Sequence, residues 1–171
     1  LADQMRWLQA ALAAAPGNVS AHIDLGATLA VNNNPDEAIS YLKKAIELDP
    51  GLAGSHTNMG NVLHARGRLK EAAESFQRAI DIDPHYVRGY VNLAYTLLVS
   101  GRLKEGLECA QKAVEIAPDS AMAHSCLGAA LQGMGRLDEA VACQRKAIEL
   151  DPNLSNAHAA LGSALQRMGR F

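Results

Sequence analysis

Five of the six prolines stand 34 residues apart, at Pro16, Pro50, Pro84, Pro118 and Pro152. A chain that keeps such a step must repeat one structural unit and stack the copies, because no single compact topology demands it. Other positions keep the same register. Ala11, Ala45, Ala79, Ala113 and Ala147 each stand five residues before a proline. The pairs Leu25-Gly26, Met59-Gly60, Leu93-Ala94, Leu127-Gly128 and Leu161-Gly162 follow it too. Gly67, Gly101, Gly135 and Gly169 mark a second turn in each unit, and Asn33 holds that place in the first full repeat. The whole of 1–171 therefore reads as a single array. It comprises full repeats 19–52, 53–86, 87–120 and 121–154, flanked by half repeats 1–18 and 155–171.

Each unit carries two helical segments. From Ser20 to Asn32, Ile23, Leu25, Ala27, Leu29 and Ala30 are mixed with small residues, which suits a helix packed on more than one side. Asn33-Asn34-Pro35 ends it, since Asn tolerates a left-handed turn and Pro suits a first helical turn. From Asp36, the residues Ala38, Ile39, Leu42, Ala45, Ile46 and Leu48 recur at helical steps until Asp49-Pro50 stops them. The later pairs are expected at 54–66 with 70–82, 88–100 with 104–116, and 122–134 with 138–150. The fold class is therefore all-α, an α-solenoid of about ten helices in 34-residue helix–turn–helix repeats. Only 4% of the residues are aromatic, yet a core remains possible. Ala38, Ala72, Gly106 and Ala140 should face the Leu-Gly pairs and let helix axes approach to the close end of the ~8–10 Å range.

These residues resemble the tetratricopeptide repeat family, whose pattern is Trp-x2-Leu-Gly-x2-Tyr, then Ala-x3-Phe, then Pro. The second full repeat carries it as His56, Met59, Gly60, Leu63, Ala72, Phe76, Ala79 and Pro84. The Trp place holds His22, His56, Tyr90, His124 and His158, and the Phe place holds Leu42, Phe76, Ala110 and Gln144. Ala110 and Gln144 imply a looser helix pairing in the third and fourth repeats. The resemblance implies a right-handed superhelix whose first helices line a concave surface that binds extended peptides or partner helices.

Catalytic chemistry finds no support in the pattern. Histidines a whole repeat apart stand on parallel helices with another between them, too far apart for two to reach one zinc ion at ~2.1 Å. They are expected as polar-tipped rings in the Trp place, between paired helices. Cys109 and Cys143 occupy equivalent positions on neighbouring units and are expected as buried, reduced thiols. Cys126 is expected on the inner surface, where a reactive thiol is conceivable although no base lies nearby in sequence. The glycine-rich turns follow no strand, so they do not form a phosphate loop. Arg68, Arg102, Arg136 and Arg170 follow the turn glycines, and Glu37, Glu71, Glu105 and Glu139 at the helix starts should neutralise the row. No metal and no cofactor is expected, and the chain is not read as an enzyme in itself. The alanine-rich opening, with Asp3, Arg6, Leu8 and Ala11, reads as the second helix of a repeat rather than a leader.

Carried onto this chain, the resemblance places a partner-binding groove at Asp24, Asn58, Asn61, His64, Arg88, Asn92, Tyr95, Leu98, Met122 and Gln132. Asn58 and Asn92 are equivalent and resemble the asparagine ladder of O-linked N-acetylglucosamine transferases, with Asp24, Cys126 and Ala160 in its other places. An Asn amide both donates and accepts, which suits a clamp on peptide backbone. The cation cluster by which chaperone-binding members grip a carboxylate is reduced to a fragment, Arg88 with the two asparagines. The expected partner is a peptide or protein ligand. Sixteen basic residues against 18 acidic ones supply no nucleic-acid footprint, and no apolar run reaches the ~18 residues of a membrane span. Three cysteines without Cys-x-x-Cys spacing suit a cytoplasmic, reducing compartment.

Leu1 and Phe171 both fall on the seventeenth position of a repeat, so a piece of a longer protein is expected. Leu161, Ala164, Leu165 and Met168 of the last helix stand ready for head-to-tail self-association through the terminal half repeats. Two functions fit: an interaction scaffold, or the substrate-recognition region of a multidomain glycosyl-, sulfo- or methyltransferase.

Overall fold

A computed structural model describes residues 2–169, with side-chain detail from Met5 onward; Leu1, Arg170 and Phe171 lie outside the described residues. The described residues form ten α-helices and no strand. In order they are α1 (Ala2–Ala14), α2 (Val19–Val31), α3 (Pro35–Leu48), α4 (Ala53–Ala65), α5 (Leu69–Ile82), α6 (Val87–Val99), α7 (Leu103–Ile116), α8 (Ala121–Gly133), α9 (Leu137–Leu150) and α10 (Ser155–Arg167). The helices divide between Tyr86 and Val87, a repeat boundary, into two compact units holding α1–α5 and α6–α10. Most helices begin one residue earlier than the sequence reading places them, because a residue such as Leu69, Leu103 or Leu137 already joins the first turn.

The turn within each repeat is built by one residue in the left-handed region. Asn33 has φ of 58°, and Gly67, Gly101, Gly135 and Gly169 have φ of 66° to 80°. After the first four of these the next amide donates back five residues: Asn34 to Leu29, Arg68 to Leu63, Arg102 to Leu97 and Arg136 to Leu131, all at 2.9 Å. This closes the orphan carbonyls of the first helix and aims the chain into the second. Replacing Gly67 with alanine should cost about 1–2 kcal/mol, because a Cβ in this conformation collides with the following carbonyl. Urea denaturation reads this directly, and an unchanged midpoint would deny the turn its role.

The turn between repeats has a different lock. The carboxylates of Asp49, Asp83 and Asp151 accept the amides of Gly51, His85 and Asn153 at 3.0, 2.9 and 3.0 Å. The histidines in the Trp place fasten the same turn from the other side. Nε2 of His22, His56, His124 and His158 donates to the carbonyl of Pro16, Pro50, Pro118 and Pro152, at 2.9, 3.3, 2.7 and 2.9 Å. At His22 the ring also lies between the paired helices, tilted over Tyr41 at 5.9 Å. Among the described residues no three metal-ligating side chains converge.

Helix pairing is set by missing side chains. A Cβ on Gly26 would stand 2.8 Å from Cγ of Leu42, and one on Gly60 would stand 2.5 Å from the Phe76 ring. The third and fourth repeats reach the same closeness by other means, contrary to the looser pairing expected there. Gly106 takes Leu98 from the facing helix into the space Ala110 leaves open, and Gln144 lies flat against Gly128. Ala110 and Gln144 are fully buried.

The turn arginines are paired as expected. Arg68, Arg102 and Arg136 each hold Glu71, Glu105 and Glu139 through two bonds of 2.5–2.8 Å. Those carboxyls sit below the ordinary carboxylate value of 4.5, chiefly through the arginine hydrogen bond. Their folded pKa is depressed, so the pairs contribute fully above that value and fade as pH falls through the lowered one. Thermal melts should therefore show a small loss of stability below about pH 4.5, which vanishes when Glu71, Glu105 and Glu139 are all changed to Gln.

Candidate inner-surface groove

Within each unit the first helices of the repeats touch one another. α2 packs on α4, and α8 packs on both α6 and α10. Among the described residues the second helices do not: neither α3 with α5 nor α7 with α9 is in contact. Helices that share small faces come together and the others splay, so the first helices form the inner side of each unit.

In the first unit this closeness leaves a groove of about 360 Å³ between α2 and α4. Its walls are Ala27, Ala30 and Val31 from α2, Asn33 and Pro35 from the turn, and Asn58, Asn61, Val62, Ala65 and Arg66 from α4 and its end. Asn58 and Asn61 stand one turn apart and supply the polar edge. Asp24 is exposed on α2 and His64 is half-buried on α4, both outside the lining. The structure thus joins two of the four sequence-predicted residues of this unit. It adds Val31, Asn33, Pro35, Val62, Ala65 and Arg66. Only the continuation of the Ala27 stripe to Val31 and of the Asn58-Asn61 stripe to Ala65 was available as a signal.

In the second unit the expected residues have more work inside the fold. Tyr95 and Leu98 are half-buried against the core of α6, α7 and α8. Burial pushes the Tyr95 hydroxyl up to about 12, against a lowering hydrogen bond with Ser125. Arg88 and Met122 are exposed and Asn92 is half-buried. Gln132 bridges to α10, donating to Ser163 Oγ at 2.9 Å, while its own carbonyl accepts from Arg167 at 2.9 Å.

Cys126 departs from expectation. It occupies the place of Asn58 and Asn92, but it is fully buried, and its thiol meets the Val91 carbonyl at 3.7 Å. Burial pushes it up to about 12, and Cys109 up to about 11; Cys143 is raised for the same reason. All three are free thiols. With no thiolate at neutral pH, Cys126 is no nucleophile. Alkylation at pH 8 should leave Cys126 unmodified in the native chain and modify it after denaturation. Rapid native labelling at that position would contradict the buried placement.

Among the described residues no helix is long and apolar enough to cross a membrane. Family models described as TPR repeat match residues 60–101 and 134–169, and models described as tetratricopeptide repeat match 19–52, 41–74, 87–120 and 109–142. Together they run unbroken from 19 to 169. No curated protein sequence matches. Among solved structures, MamA is 29% identical with a TM-score of 0.73, over 88% of each chain. YrrB, described as a TPR protein with an unusual peptide-binding site, is 25% identical with a TM-score of 0.70, over 95% of this chain and 84% of its own. A thermophilic TPR protein of Thermus thermophilus has a TM-score of 0.81 at 21% identity, over 95% and 89%, a likeness of fold alone.

Proposed function

Because the chain belongs to the tetratricopeptide repeat family, we propose that it is a protein-interaction scaffold that holds an extended peptide segment along its first helices. The observation that carries this reading is the groove between α2 and α4, where an apolar floor meets the amides of Asn58 and Asn61. Ligand sites are commonly such apolar concavities with a few converging polar groups. The likeness to YrrB, itself described by its peptide-binding site, points the same way. The substrate-selecting arm of a transferase is less well supported, because buried Cys126 interrupts the asparagine ladder after Asn92. Three free thiols suit a reducing compartment.

The test is selection from a displayed random nonapeptide library on the whole chain. Changing Asn58 and Asn61 together to alanine should abolish capture of the selected peptides while leaving helicity intact. Undiminished capture would move the site to the convex face or the ends. Self-association through the terminal half repeats is a separate part of the reading, with Leu161 and Leu165 of α10 only half-buried. It should appear as concentration-dependent mass in sedimentation equilibrium, and a constant monomer mass removes it.

A further inference from the structure

We infer that the groove between α2 and α4 selects a peptide segment carrying one apolar side chain with a carboxylate close beside it, the apolar group seated between the helices and the carboxylate held by Arg66. This rests on the peptide-binding reading above and names the chemistry of the ligand.

The space decides the first half. About 360 Å³ is at the small end of ligand clefts, room for one large apolar side chain and its backbone. Ala27, Ala30 and Ala65 bring almost no bulk to it. Val31 lies 80% exposed in the same wall, a β-branched side chain left to water unless something covers it. The turn beside it is unusual. Asn33 is the one non-glycine with positive φ among the described residues, and it lies in the groove wall. Where the other repeats use glycine, this turn keeps a side chain, and that residue is part of the groove wall.

Charge decides the second half. Arg66 is the sole cation among the lining residues, and it caps the end of α4. Its present partner is Asp36, by a single contact of 3.4 Å, with the two side chains 47% and 81% exposed. A guanidinium has five donors and favours a bidentate carboxylate, so a ligand carboxylate can take up donors that this loose pair leaves to water. No acidic residue lines the groove, and the one beside Arg66, Asp36, is itself 81% exposed and held by that single long contact. A carboxylate on the ligand is therefore favoured at the Arg66 end of the groove.

The experiment uses the peptides enriched by the whole chain from the random nonapeptide library, and repeats the selection on two variants. The enriched sequences should carry an apolar residue with Asp or Glu within two positions. Ala65→Trp fills the groove from an exposed position, so it should cut capture by about tenfold or more without loss of helicity. Arg66→Glu should switch the enriched charge from acidic to Lys or Arg. Peptides that respond to Ala65→Trp but show no acidic enrichment, and no change with Arg66→Glu, would overturn the carboxylate and leave the groove reading standing. Peptides indifferent to both variants, or no enrichment at all, would overturn this inference and the groove reading together.

Discussion

Replacing Phe76 with alanine should cost about 3–5 kcal/mol, the range for removing a buried aromatic and leaving its cavity. Phe76 is 1% exposed and is the largest fully buried side chain among the described residues. Its ring lies where a Cβ on Gly60 would otherwise stand, 2.5 Å from Cε1. Gly60→Ala should cost less, about 1–3 kcal/mol, by overpacking the same contact. Combining it with Phe76→Leu, the solution that Leu42 and Gly26 approach in the preceding repeat, should recover part of the loss. Chemical denaturation of the whole chain measures all three. A Phe76→Ala loss below about 1 kcal/mol would mean the ring does not hold the pair together.

Gln144→Leu should act in the opposite direction and stabilise the second unit by about 1–3 kcal/mol. Gln144 is fully buried. Its Nε2 donates to the Ser125 carbonyl at 3.0 Å, but its Oε1 is buried without a hydrogen-bond partner. Leucine gives up one neutral hydrogen bond of about 1 kcal/mol while removing an orphan acceptor whose burial costs about 1–3 kcal/mol, and it buries more apolar surface. The melting temperature should rise by about 2–4 °C for each kcal/mol gained. A fall instead would show that the amide bond to Ser125 aligns α8 with α9 more strongly than its unpaired oxygen weakens them.

The parts of the molecule that were readable in advance share one property: their interactions close within a few residues. The left-handed Asn33, Pro35 at the head of α3 and the Arg–Glu pairs three residues apart are all local. Of the histidines expected between paired helices, His22 is buried there beside Tyr41, whereas His158 is exposed; their shared bond is to the turn carbonyls, which lie six residues back. Looser pairing at Ala110 and Gln144 does not occur, because Leu98 from the facing helix meets Gly106 and Gln144 meets Gly128. Cys126 departs from expectation in the same way. Its repeat position matches Asn58, but α6 brings the Val91 carbonyl over it.

By itself, then, the 34-residue step determined the unit, its two helices, its turns and the family, since periodicity and turn chemistry are properties of short stretches of chain. The tertiary structure alone decided which inner-facing residues share a groove. Asn58, Asn61 and Arg66 share a groove with Val31 because α2 and α4 approach over small residues, whereas Leu98 is drawn against Gly106 and Tyr95 packs on the core of the second unit. Side chains at equivalent positions have equal directions but unequal neighbours, and it is the volume of those neighbours that sends one into water and another into the core.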